Sequence, residues 1–267
     1  MHPVLFKIFG VEIISYGVAL GFSFFTVLIL STLRARKEGV KPALIFDGFL
    51  WIFIGAILGS RLVLIAQNPE RFLLDPLWFL KLWKGGFSSL GGLIGGGLVI
   101  LIFTRAQKIP ILDFSDLISP YLGLGFAIQK FFGCLMAGCC YGKPTNLPWA
   151  ITFNNPRILI PVELFGVPLH PTQIYEGLLG LLIFFVLIYI RKRSSQASST
   201  NIPLQGKGKL TFIFIILFSG GRFITSFFRG DLHPKILGIF SPIQLVFLSV
   251  LLLTLIFYYR NRIFKSS

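Results

Sequence analysis

The sequence predicts an all-α polytopic membrane protein of seven transmembrane helices, with the N-terminus outside and the C-terminus cytoplasmic. Three observations predict it. Of the 267 residues, 54% are hydrophobic and only 13% charged, with a mean hydropathy of +0.81. A soluble domain has too little interior to hide that much apolar surface. Apolar runs long enough to cross a bilayer, about 20 residues each, recur along the whole chain. The net charge of +15 is gathered between those runs. That pattern fixes the orientation of a polytopic protein and is not the footprint of a nucleic-acid binder, so no nucleic-acid partner is expected.

The expected spans are residues 13–33, 45–66, 88–104, 116–137, 171–190, 210–228 and 241–259, within one integral membrane domain covering 1–267. Met1–Glu12 lacks a basic start and the first apolar run is too long for a signal-peptide core, so no cleaved leader is expected. The third span is short and rich in glycine (Gly91, Gly92, Gly95, Gly96, Gly97). The fourth is the least apolar, and its Gly123, Gly125 and Gly133 allow another helix to approach closely. Between the second and third spans, Gln67–Phe87 carries Trp78 and Trp83 and reads as an interfacial segment. The stretch Arg191–Lys209, opening Arg-Lys-Arg-Ser-Ser, reads as a solvated linker.

Orientation follows from the basic residues of the connections. One set holds fourteen: Arg34, Arg36, Lys37, Lys41, Arg105, Lys108, Arg191, Lys192, Arg193, Lys207, Lys209, Arg260, Arg262 and Lys265. The opposite set holds eight: Lys7, Arg71, Lys81, Lys84, Lys143, Arg157, Arg229 and Lys235. The richer side is cytoplasmic. Odd spans then begin outside and even spans end outside.

With that orientation, polar groups of six spans share one depth near the outer face. They are Tyr16, Arg61, Ser88 with Ser89, Lys130, the group His170, Gln173, Tyr175 and Glu176, and the pair Arg222 and Arg229. An ionisable residue inside a membrane is costly, which makes each a candidate for function. Each also has a plainer reading. Arg61, Lys130 and Arg222 can snorkel to lipid headgroups, Tyr16 and Tyr175 can be belt aromatics, and His170 before Pro171 can cap the fifth span. Glu176 suits a helix N-terminus and can pair with an arginine. Arg222 and Arg229, seven apart, fall on one face of a continuous helix roughly 10 Å apart. Two guanidinium forks so placed suit a phosphate-bearing ligand.

All three cysteines lie in Gly133–Gly142 (Gly-Cys-Leu-Met-Ala-Gly-Cys-Cys-Tyr-Gly), where the fourth span opens into a long polar connection. Their spacing matches no zinc motif, because no second Cys or His pair follows at a ligand distance, so no metal and no cofactor is expected. Packing thiols, a disulfide at an oxidising face and a catalytic thiol all stand as readings of Cys134, Cys139 and Cys140.

Several of these segments together resemble the prolipoprotein diacylglyceryl transferase family of bacterial inner membranes. The resemblance lies in Ser15-Tyr16-Gly17, Gly59-Ser60-Arg61-Leu62, Gly91-Gly92-Leu93-Ile94-Gly95, Gly133–Gly142 and His-Pro-Thr-Gln-Ile-Tyr-Glu at 170–176. It continues in Gly221-Arg222-Phe223, Phe227-Phe228-Arg229 and Ser241-Pro242-Ile243-Gln244. It implies transfer of the diacylglyceryl group of phosphatidylglycerol to the lipobox cysteine thiol of a preprolipoprotein signal peptide. The products are a thioether and glycerol-1-phosphate. It further implies a multi-pass protein of the inner (cytoplasmic) membrane with its site toward the outer leaflet, and membrane lipid as a partner.

On that resemblance His170, Arg222 and Tyr16 are the catalytic candidates. Arg229, Lys130, Arg61, Gln173, Tyr175, Glu176 and Gly142 are the substrate-binding candidates. Some positions depart from the pattern. Leu90 stands where the family commonly has His, and Phe131 where its signature has Arg. Cys134 and Cys139 replace Asn and Glu, and Ser226 replaces a Glu between the two arginines. Lys130 stands beside the Arg position, and a one-residue shift of helix register brings its ammonium to the site. Two further readings stand. One is a catalytically silent or altered-specificity paralogue that binds phospholipid or lipoprotein precursors. The other is a transporter, which would put ionisable groups at mid-membrane and show two related halves; the sequence has neither.

Overall fold

The computed structural model describes residues 2–8, 11–75, 88–197, 208–232 and 240–266. An antiparallel hairpin of β1 (Val4–Ile8) and β2 (Val11–Ile14) opens the chain. The helices are α1 (Ser15–Lys37), α2 (Pro42–Gln67), α3 (Pro69–Leu74), α4 (Ser89–Ala106), α5 (Ile111–Ile128), α6 (Leu135–Ala137), α7 (Thr172–Ala197), α8 (Lys209–Ser226) and α9 (Pro242–Ser266). A π-helical turn, Gln129–Cys134, joins α5 to α6. Among the described residues, five helical segments are long and apolar enough to cross a membrane: Ser15–Lys37, Pro42–Gln67, Ile111–Ala137, Thr172–Arg193 and Lys209–Ser226. Gly91–Ala106 and Pro242–Tyr258 are shorter apolar helices. The protein is mostly helical and multi-pass. Phe22, Phe25, Leu182, Phe185, Ile224 and Leu253 stand exposed on these helices, as side chains facing acyl chains do.

Several boundaries differ from the sequence reading, each for a local reason. Ile13 and Ile14 belong to β2, and the helix begins at Ser15, whose backbone N–H donates to Pro3 O at 2.9 Å. The fourth span starts earlier, at Ile111, and is not one continuous α-helix. Its low hydropathy has a cause: its most apolar window is 56% buried in protein, against 22–33% for the other four, so lipid covers less of it. The sixth span stops at Ser226, not at residue 228. The stretch read as a linker from Arg191 continues α7 as far as Ala197; residues 198–207 lie outside the described residues. Of the interfacial segment Gln67–Phe87, α3 is described, whereas Trp78 and Trp83 lie outside the described residues.

The chain divides into two compact units. One is formed by residues 31–117 with 202–207. Its centre is the α2–α4 pair, where Gly55 and Gly59 face Gly95 and Gly91. A Cβ on Gly59 would fall on the backbone of Gly91 and Gly95, and one on Gly95 on the backbone of Gly55 and Gly59. Small residues four apart on both helices bring the two backbones together, which in lipid supplies the packing that a hydrophobic drive cannot. Phe103 and Phe114 close the unit edge to face at 5.9 Å, over Gly48.

The other unit is formed by residues 1–30, 118–201 and 208–267. Within it Gly123 of α5 meets Gly180 of α7, and Ser23 of α1 donates to the Gly125 carbonyl at 2.7 Å. Ile183 and Leu187 of α7 pack with Leu210 of α8. The connection from Gly138 to Pro171 is not merely polar. It folds around its own apolar cluster of Phe153, Ile158, Ile160 and Leu169, with Tyr141 and Ile151 packed against it.

Candidate active site

The π turn at Gln129–Cys134 places one extra residue in the fourth span. Such turns re-aim the side chains they carry and concentrate at functional sites. Lys130, 6% exposed, points its Nζ to 2.6 Å from Glu176 Oε2 and donates to Cys140 Sγ at 3.2 Å. Phe131, at the position where the resemblance leads one to expect an arginine, lies with its ring against Gly177 of α7.

Glu176 is the hub. It is fully buried in the first turns of α7 and pairs with Lys130, with Arg222 Nη1 through Oε1, and at 3.6 Å with Arg229 Nη1. Arg222 also lies 5.1 Å over the Phe247 ring and 5.9 Å over that of Phe126. Arg229 is clamped in bidentate fashion by Asp231, Nε to Oδ1 at 2.8 Å and Nη2 to Oδ2 at 2.6 Å. The two arginines do not share a helix face, as the sequence reading expects. The helix ends at Ser226, and Arg229 stands beyond it on a short bridge paired with Gly142. Both guanidinium groups still reach the same carboxylate. Lys130, Arg222 and Arg229 are all under one tenth exposed, which rules out snorkelling. Three buried cations gathered on one carboxylate, with Asp231 on Arg229, concentrate positive charge that attracts an anion.

The residues 141–144 stitch the site together. Gly230 N–H donates to Tyr141 O at 2.9 Å, Lys143 N–H to Phe228 O at 2.8 Å, and His170 N–H to Lys143 O at 3.0 Å. Gly142 therefore lies between Arg229 and His170. A Cβ there would sit 2.6 Å from His170 Cβ, so the close approach requires glycine. The His170 ring lies tilted against Phe228 with centroids 5.2 Å apart, and its Nδ1 is 3.4 Å from the Tyr175 hydroxyl, which accepts from Trp149 Nε1 at 2.8 Å.

The cysteine stretch is an ordered turn. Gly138 and Cys140 both take left-handed backbone, φ 74° and 58°. Thr172 Oγ1 donates to Cys140 O at 2.6 Å, and the fully buried Gln173 donates from Nε2 to Cys139 O at 2.9 Å. All three cysteines are free, and their sulfurs lie within 4.8 Å of one another. Hydrogen bonds with Cys134 and then Cys139 hold the Cys140 thiol well below the ordinary thiol range. Burial opposes this, and the charges of Lys130 and Arg229 assist it.

Tyr16, the second residue of α1, is 40% exposed and lies within electrostatic range of Lys130 and the three thiols. Arg61 belongs to the other unit, where it is 1% exposed and so does not snorkel either. Ser88 caps α4, accepting from Gly91 N–H at 3.3 Å; the side chains of Ser89 and Leu90 are outside the described set. Sequence reasoning missed Asp231, Trp149 and the convergence of the thiols. The first stands only two residues from Arg229, a proximity that carries weight once the arginine is known to be buried. Nothing in the sequence marks the other two.

Comparison with known proteins gives the same answer along the chain. The family model described as prolipoprotein diacylglyceryl transferase matches residues 3–260. The phosphatidylglycerol–prolipoprotein diacylglyceryl transferase of Clostridium tetani is 32% identical over 231 residues, covering 86% of each chain. The second such enzyme of Clostridium perfringens is 29% identical over 98% of this chain and 96% of its own. The Proteus mirabilis enzyme is 32% identical over 96% of this chain and 90% of its own. The chain belongs to the prolipoprotein diacylglyceryl transferase family and is a membrane-bound transferase of lipoprotein biosynthesis.

Proposed function

We propose that the chain transfers the diacylglyceryl group of phosphatidylglycerol to the lipobox cysteine thiol of a preprolipoprotein signal peptide, forming a thioether and releasing glycerol-1-phosphate. The observation that carries this reading is the buried cluster of Lys130, Arg222 and Arg229 around Glu176. The thiol sulfur attacks the glycerol carbon, the carbon–oxygen bond to phosphate breaks, and negative charge grows on the departing phosphate oxygen. Fixed donors aimed at that oxygen lower the barrier. Arg222 and Arg229 are assigned to the phosphate, with Lys130 behind them. Glu176 holds the three cations in place before substrate arrives.

His170 is assigned the thiol proton, its ring set by the Tyr175 hydroxyl and Phe228. Tyr175 and Tyr16 orient the headgroup or the thiol. Gln173 and Gly142 act through the backbone, one by fixing the cysteine turn and the other by letting Arg229 and His170 approach. Both substrates arrive through lipid. The reading therefore includes seven spans in one integral membrane domain, with the N-terminus outside and the C-terminus cytoplasmic. It places the protein in the bacterial inner membrane with the site toward the outer leaflet.

The test is reconstitution with phosphatidylglycerol and a lipobox peptide, read by mass spectrometry. The expected result is a diacylglyceryl mass shift on the peptide cysteine, lost in Arg222→Ala and weakened in Lys130→Ala. A second reading is a silent or altered-specificity paralogue. It is favoured by Phe131, which packs on Gly177 where the resemblance has a charge. Binding of phosphatidylglycerol with no mass shift would sink the first reading and establish the second.

A further inference from the structure

The reaction just described takes its thiol from the substrate and uses none of the protein's own. Yet three thiols stand against the cation cluster. Among the described residues they form the one group of three or more His, Cys, Asp and Glu side chains placed to share a metal ion. Their geometry is that of a ligand set. Tetrahedral zinc with Zn–S bonds of about 2.3 Å has sulfur–sulfur edges of about 3.8 Å. Cys134 Sγ and Cys140 Sγ are 3.9 Å apart, and all three sulfurs lie within 4.8 Å. One edge of such a tetrahedron is in place, and the third sulfur lies within about 1 Å of its corner.

The turn that brings them there is built. Cys140 adopts φ 58°, a conformation that side-chain-bearing residues avoid and that persists where the surroundings enforce it. Thr172 and Gln173 do so by gripping the carbonyls of Cys140 and Cys139. Lys130 Nζ donates to Cys140 Sγ at 3.2 Å, the kind of outer hydrogen bond that orients a metal ligand and stabilises its charge. A packing role needs neither the strained turn nor the convergence.

We propose that Cys134, Cys139 and Cys140 bind a thiophilic divalent cation, zinc, as three thiolates, and that the open fourth position takes the acceptor cysteine of the substrate. Three protein ligands with one open position is the pattern of catalytic rather than structural zinc. The second half of the proposal rests on the transfer reaction proposed above. The substrate thiol binds the metal and passes its proton to His170, the base assigned above. The bound sulfur then uses a lone pair to form the carbon–sulfur bond as the carbon–oxygen bond to phosphate breaks, the electron pair leaving on the phosphate oxygen. The proton released and the phosphate monoester formed account for every atom, and the metal changes neither charge nor oxidation state. The thioether product, a weaker ligand than a thiolate, leaves the fourth position open again.

The full chain, purified in detergent under reducing and metal-free conditions, is titrated with Co(II) and then Zn(II). The expected result is one equivalent of cobalt bound with a sulfur-to-metal charge-transfer band, displaced by one equivalent of zinc. The band is lost in Cys134→Ser, Cys139→Ser and Cys140→Gly. The last variant keeps a residue at home in the left-handed turn, so its loss reports the sulfur and not misfolding. No band in the native chain, or a band that survives in Cys140→Gly, overturns the site. Adding a lipobox peptide to the cobalt form should strengthen the charge-transfer band, and a Cys→Ser peptide should not; an unchanged spectrum overturns the fourth-position assignment. In the transfer assay, chelation should lower the rate on the order of 100-fold, the scale of proton-transfer activation, and one equivalent of zinc should restore it. Full activity after chelation overturns the metal's role. Metal bound with no transfer under any condition overturns the proposed reaction and leaves the site standing.

Discussion

Glu176 is the residue on which the site turns. Its two oxygens face Lys130 and two arginines, all buried. Removing its charge leaves the cations to repel one another out of reach of water. Glu176→Gln should therefore destabilise the protein by about 3–5 kcal/mol, the cost of breaking a buried pair from one side. Thermal unfolding in detergent checks this, and a variant as stable as the native chain would show the cluster to be solvated. Lys130, Glu176, Arg222 and Arg61 were legible in the sequence because charge inside an apolar run is rare and stands out. Asp231 was not. It stands in a polar stretch beyond the helix, where a carboxylate costs nothing and draws no notice. The thiols were visible only as a spacing, and spacing does not show that Cys140 takes a positive φ and folds back on Cys134.

Among the elements, the helices were legible because length and hydropathy decide them, and their ends were not. β2 captures Ile13 and Ile14, and α8 releases Phe227 and Phe228, through contacts that form only in three dimensions. The cluster of Phe153, Ile158, Ile160 and Leu169 was hidden by its scattered spacing in a segment of polar composition. Close approach was read for the glycines of the fourth span, where Gly123 meets Gly180; the third span was read only as short and rich in glycine, and α2 and α4 touch backbone to backbone through its glycines. Gly59→Leu puts a side chain where only backbone can stand, and backbone cannot yield as a side-chain tip does. The expected loss is about 3 kcal/mol, at the upper end for overpacking. Chemical denaturation in mixed micelles measures it, and a Gly97→Leu control, with open space at its Cβ, should cost far less.

At the scale of the molecule, charge sets the orientation. A fluorescent protein fused after Ser267 should light up, because the C-terminus is expected in the cytoplasm, and alkaline phosphatase fused at the same point should stay inactive. The reverse pair of results would invert the whole reading, including which leaflet feeds the site. The π turn at Gln129–Cys134 spends one residue more than an α-helix would. Deleting one codon, that of the exposed Phe132, should straighten the turn and, with the flanking helix near its register, re-aim Lys130 away from Glu176. Transfer should vanish while the protein still inserts and accumulates in the membrane, as immunoblotting of membrane fractions against the activity assay will show. Register at this one turn, as much as residue type, then decides whether position 130 or position 131 faces Glu176.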